Sequence, residues 1–127
     1  MNIQDIEKLL KIVKLMEGGD TSAPISHDAN PSALIGEKVI VRCRDAGVHF
    51  GELVSRTGRD VTLKDSRRMY YWVAAKGHTL SGCAIHGITD SKIAGTIELI
   101  ELPEACEIIK CSPKSAKSIG GYDEYQP

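Results

Sequence analysis

The chain has 127 residues, 42% hydrophobic and 26% charged, enough for one compact domain with a real core but not for two. Its net charge of −1 gives no support to a general DNA- or RNA-binding protein that relies on many phosphate contacts, and no apolar run approaches the ~18 residues of a membrane-spanning helix. The N-terminus lacks a signal peptide's apolar region, and four cysteines (Cys43, Cys83, Cys106, Cys111) are irregularly spaced, so we expect an intracellular protein with reduced thiols.

Residues 2–16, NIQDIEKLLKIVKLM, place Ile3, Ile6, Leu10 and Val13 at 3-4-3 spacing, with lysines mainly on other faces. The spacing predicts an amphipathic helix over residues 1–17, too short to be stable alone and therefore a candidate for oligomerisation. Residues 18–36, rich in Gly, Pro, Ser, Asp and Asn without a period, read as a linker. From there the period changes to two. In EKVIVRCRD, Val39, Val41 and Cys43 point one way and Lys38, Ile40, Arg42 and Arg44 the other.

Glycines 47 and 51 flank His49 and Phe50 in AGVHFG, which predicts a bulge or sharp bend between strands. RTGRD reads as the turn of a hairpin joining ELVSR to DVTLK, and MYYWVAA as a further strand. GHTLSGCAIHG has the length of one or two helical turns. Thr96–Leu102 and Cys106–Cys111 follow as strands, then a short helix capped by Ser112 and Pro113. The globular part is residues 37–120, and the tail 121–127 is expected to fray. The fold class is α+β: a mostly antiparallel small β-sheet or barrel with short helical pieces.

Net charge conceals an asymmetry. Residues 36–78 carry nine Lys/Arg against five Asp/Glu, and all six arginines lie within 27 residues. Three of the six aromatic residues sit together in DSRRMYYW, Asp65–Trp72. Alternation puts Arg67, Met69, Tyr71 and Val73 on one face of that strand and Arg68, Tyr70 and Trp72 on the other. Met69, Tyr71 and Val73 suit a core. Arg68, Tyr70 and Trp72 suit a flat anion, because a guanidinium forks to phosphate oxygens and aromatic faces stack on a base.

Chemistry is harder to find. His78, Cys83 and His86 make H-x4-C-x2-H, one ligand short of a structural zinc site, and no second pair is spaced to complete it. A buried helical cysteine is the ordinary role for Cys83. Acidic residues fall in no motif, so no catalytic residue, metal or cofactor is expected. Two non-catalytic readings compete with a small-anion site. One is a single-stranded nucleic-acid or nucleotide-binding β-barrel module stacking bases on Trp72, Tyr70 and Phe50. The other is a purely structural oligomer.

The order VIVRCRDAGVHFGELVSR, VTLKDSRRMYYW, LSGCAIHG, IELIE and CEIIKC, over about residues 39–111, resembles the phage anti-Thoeris sponge family, the first described Thoeris anti-defence proteins. AGVHFG and the DSRR-aromatic run carry most of the likeness. The resemblance implies a non-enzymatic protein that binds cyclic ADP-ribose isomers, such as glycocyclic ADP-ribose, made by TIR-domain proteins. It would hold them unmodified in the host bacterial cytoplasm and so block Thoeris immunity. It further implies a homo-oligomer, dimeric or in some members hexameric, with pockets between subunits. Some members also hold cyclic di- or trinucleotides at a separate site. The sequence departs from the pattern at Gly82, where the family tends to a larger polar residue. Under this resemblance Arg56, Arg67 and Arg68 are candidates for phosphate contact or adenine stacking. His49, Phe50 and Trp72 are candidate ring partners, and Ser81 and Asp90 candidate hydroxyl contacts. Lys110, Lys114 and Lys117 are the basic groups available to a second site, or else a solvated face.

Overall fold

The computed structural model describes residues 32–127; the expected N-terminal helix and most of the expected linker lie outside them. Its elements are β1 (Lys38–Cys43), β2 (Val48–Thr57), β3 (Asp60–Tyr71), α1 (Leu80–His86), β4 (Lys92–Ile93), β5 (Ile97–Leu102), β6 (Ala105–Lys110) and α2 (Pro113–Gly120). The domain is α+β: an antiparallel sheet in the order β4-β3-β2-β1-β6, with β5 also paired to β3, and two short helices. No helix among the described residues is long and apolar enough to cross a membrane.

Turn chemistry accounts for the meander. Gly47 takes φ +84 between β1 and β2, and Gly58 takes φ +60 in the two-residue turn that closes β2 on β3; both conformations favour glycine. β5 and β6 lie on opposite sides of the sheet, yet only Pro103 and Glu104 separate them. So short a link requires the sheet to curl. Glu104 accepts from the Arg44 N–H, and the Ala105 N–H donates to Arg59 O, fastening the link to both sides. β5 and β6 themselves are not paired, and the sheet stays open.

Alternation along β1 divides the core in two. Val39, Val41 and Cys43 join Leu53, Val61, Leu63, Leu102 and Ala105 on the concave side. Ile40 faces the opposite way and joins Phe50, Met69 and Ile93 beneath the helices. Each fully buried aliphatic or aromatic side chain contributes about 1.5–3 kcal/mol. The helices pack through backbone groups that serine hydroxyls satisfy: Ser115 Oγ donates to Cys83 O at 2.6 Å and Ser112 Oγ to Ile85 O at 2.7 Å. The expected cap Ser112 accepts from Ser115 N, and Thr79, not singled out in the sequence, caps α1 by accepting from Gly82 N.

Three features differ from the sequence reading. DVTLK and MYY form one strand, because Asp65 adopts φ 51 and shifts the register between the Phe50 and Glu52 pairings. An extra residue is absorbed there without breaking the ladder. Gly51 sits opposite, where a Cβ would lie 3.1 Å from Lys64 O and 3.2 Å from Ser66 Cα. β4 lies outside the predicted elements; its two residues form a strand only because Met69 and Tyr71 on the edge of β3 pair with Ile93 and Lys92. The tail, expected to fray, is tied down: Tyr125 N donates to Ile93 O at 2.9 Å and Glu124 bridges Ile93.

Gly82 has a physical reason of its own. A Cβ there would run into the Lys76 carbonyl oxygen and stand 3.3 Å from Ala74 Cβ. There is no room for the larger polar residue that the resemblance implies. Gly82→Ala is expected to cost about 1–3 kcal/mol, read as a lower urea midpoint at unchanged slope. An unchanged midpoint would mean that the loop at Lys76 yields freely.

Candidate functional site

Beside the β1–β2 turn lies a groove of about 320 Å³, lined by Ala46, Gly47, Val48, Arg68, Met69, Tyr70 and Trp72. Its volume falls within the ~300–1,000 Å³ range of ligand sites. Local structure explains the convergence. Cys43 N donates to Gly47 O at 2.8 Å and closes the turn against β1. β3 pairs with β2 so that Arg68 stands opposite His49, and both side chains reach the same carbonyl. Arg68 Nη1 donates to Ala46 O at 2.8 Å, and His49 Nε2 lies 2.9 Å from it. That carbonyl makes Nε2 the protonated nitrogen and leaves Nδ1 bare; Nδ1 is buried with no partner among the described residues.

Arg68 itself is exposed and forms no ion pair among the described residues. Tyr70 is 59% exposed, and its ring meets Tyr125 edge to face at 6.0 Å between centroids. The Lys92 ammonium lies 5.6 Å from the Tyr71 ring centroid and 5.2 Å from that of Tyr125. A strip of three tyrosines and one lysine therefore borders the groove. Tyr125 carried no periodic signal in sequence, since only docking of the tail brings it here.

The remaining candidates fall elsewhere. His49 is 1% exposed, so its ring is a strut under the turn rather than a surface for a ligand ring. Phe50 is buried in the helix-side cluster, 3.7 Å from where a Gly120 Cβ would stand. Arg67, 4% exposed, is spent on backbone carbonyls of Ala94, Ile119, Gly120 and Tyr122. Arg56 donates to Gly58 O and lines a separate hollow of about 160 Å³ with Glu107, below the ~300 Å³ of a nucleotide-sized site. Ser81 and Asp90 are exposed and outside the groove. Lys110 pairs with Glu37 at 3.8 Å, and Lys114 is exposed on α2. Lys117 lines a hollow of about 590 Å³ under the tail, where Asp123 and Glu124 oppose an anion. The three lysines do not share one pocket. Trp72 stays in the groove, half-buried against the helix-side core. Tyr71, expected inside, is 53% exposed, because a further register shift between Met69 and Tyr71 turns the end of β3.

Burial disfavours the charged His49 ring and lowers its pKa from 6.5, helped by Arg68 and opposed by the Ala46 hydrogen bond. Below about pH 6.5 the unfolded chain therefore takes up the proton first. The stability that His49 contributes is complete above that pH and drains away as pH falls toward the lower folded value. His49→Gln keeps an N–H donor but cannot titrate. Its urea midpoint should fall less than wild type on acidification; parallel curves would show that His49 titrates as in the unfolded chain. Burial in the helix-side core also pushes the Cys83 and Cys111 thiols up to about 11, which keeps them protonated.

A family model described as a domain of unknown function, DUF6948, matches residues 36–119. The chain belongs to the DUF6948 family. No curated protein and no solved structure matches it. The DUF6948 match spans all six strands and the whole groove lining, while Tyr122 and Tyr125 fall beyond it.

Proposed function

We propose that the groove beside the Ala46–Val48 turn binds a small anionic nucleotide and that the chain sequesters it without altering it. The observation that carries this reading is the convergence of the Arg68 guanidinium with Tyr70 and Trp72 at one turn. Arg68 is held by a neutral carbonyl, Ala46 O. A phosphate oxygen competes well against it, because charge-assisted hydrogen bonds are about twice as strong as neutral ones. Tyr70 and Trp72 offer ring faces to a base. A guanidinium, a phenol, an indole and aliphatic groups suit holding a ligand better than proton transfer or covalent attack.

With the resemblance to the anti-Thoeris sponges, the ligand we propose is a cyclic ADP-ribose isomer such as glycocyclic ADP-ribose. The role would be a phage's suppression of Thoeris immunity in the host bacterial cytoplasm. Nanomolar sequestration requires about −12 kcal/mol. A groove open on one side does not enclose so polar a ligand, and a second copy of the chain would supply the missing wall. A homo-oligomer is therefore part of the proposal. Cyclic di- or trinucleotides at a separate basic site remain the further expectation.

The test is direct. Protein is mixed with the product of a TIR enzyme, unbound nucleotide is removed, the protein is heat-denatured and the supernatant assayed. Intact signal supports sequestration. Altered signal means an enzyme, and no retained signal sinks the binding reading. One observation favours a second reading: Tyr70, Tyr71, Tyr125 and Lys92 form an exposed stacking strip. A single-stranded nucleic-acid module would bind generic oligonucleotides with steep salt dependence, which a sponge would not.

A further inference from the structure

β1 and β6 run antiparallel, with Arg42 opposite Glu107 and Cys43 opposite Ala105. The residue skipped between those pairs is Cys106, and the register shifts there. At a bulge two consecutive residues stand against one on the neighbouring strand. Cys43 therefore has both Ala105 and Cys106 beside it. Adjacent strands lie ~4.7–4.9 Å apart, a spacing compatible with the ~4.4–6.8 Å between α-carbons that a disulfide spans.

The two thiols differ in access. Cys106 is exposed, while Cys43 is buried in the concave core. The other two cysteines, Cys83 and Cys111, are buried on the helix side of the sheet. Burial first, and the Cys106 thiol second, push the Cys43 thiol's pKa up, with Arg68 opposing. The two sulfurs thus share one electrostatic environment.

We propose that Cys43 and Cys106 are a modification site, forming a reversible disulfide that ties the edge strand β6 to β1 when the chain meets a peroxide. The exposed Cys106 thiolate attacks a peroxide oxygen; the O–O bond breaks, water leaves and Cys106 becomes a sulfenic acid. The Cys43 sulfur then attacks the Cys106 sulfur. The S–O bond breaks, and a second water carries off the hydroxyl with the Cys43 proton. Two thiols lose two electrons and two protons, and hydrogen peroxide takes them up to become two waters. The bond would act on the groove from behind, because Cys43 N holds Gly47 O and Gly47 lines the groove. Whether it forms does not depend on the ligand proposed above.

Full-length protein is treated with hydrogen peroxide, quenched with iodoacetamide and mapped without reductant. The expected product is a chain two hydrogens lighter with no disulfide to a second chain; it yields a Cys43–Cys106 cross-linked peptide and returns to the starting mass with dithiothreitol. Cys106→Ser, an exposed change that leaves the core intact, should abolish it. Cys43→Ser should leave a Cys106 sulfenic acid that dimedone captures. A wild-type product in which Cys106 links two chains, bonds another cysteine or runs on to sulfinic acid would overturn the proposal.

Discussion

Replacing Arg67 with methionine should destabilise the domain by about 3 kcal/mol or more, at ~1–3 kcal/mol for each buried polar group left without a partner. For a domain of this size that corresponds to a fall of about 12 °C or more in the unfolding midpoint. The cause is the number of acceptors served by one side chain. Arg67 Nε donates to Ala94 O at 2.8 Å and Nη1 to Ile119 O at 2.9 Å, with Gly120 O and Tyr122 O also within reach. Methionine fills much of the same volume yet donates to none of them. Burial lowers the Arg67 pKa while Glu124 and Asp123 support the charged form, so the guanidinium is compensated where it stands. Arg67→Lys should fall between, since an ammonium offers fewer donors and no planar fork. Limited chymotrypsin digestion separates two outcomes: early cleavage at Tyr122 or Tyr125 means the tail is freed before the sheet unfolds. A change below 1 kcal/mol would show that water satisfies these carbonyls equally well.

Arg68→Ala should do the reverse. Arg68 is exposed and bonds one carbonyl that His49 also serves, so its loss should change stability by no more than about 0.5 kcal/mol. Affinity for the proposed cyclic ADP-ribose ligand should drop by more than tenfold, or at least ~1.4 kcal/mol. Isothermal titration with matched melting curves would read both quantities. Unchanged affinity would remove Arg68 from the site, and a large loss of stability would make it a structural residue. The adjacent arginines are thus expected to divide, one governing the fold and the other the ligand.

Much of the fold was legible because it rests on local rules. Alternation of Val39, Ile40 and Val41 divides them between the two core clusters. Gly47 and Gly58 mark turns that need positive φ, and Ser112-Pro113 marks a helix start. Of the site, Arg68, Trp72 and the AGVHFG bend were legible from alternation and glycine spacing, and Tyr70 with them. His49 and Phe50 were misplaced because residues flanking a bend look alike in sequence whether they face a ligand or the core. Phe50 is buried where α2 covers its face of β2, and His49 where it reaches back to the Ala46 carbonyl, a matter of neighbours rather than of spacing.

The sequence by itself determined the alternation of faces, the turns, the caps and the clustering of arginines with aromatics, since these depend on residues within a few positions of one another. Only the tertiary structure decided which arginine of the Arg67–Arg68 pair is inside. The carbonyls that bury Arg67 are 27, 52 and 55 residues away along the chain. The Asp65 bulge that sets the face of each depends on the opposing Gly51. A side chain's direction in a strand is local, but the value of that direction is set by what the rest of the chain places opposite it.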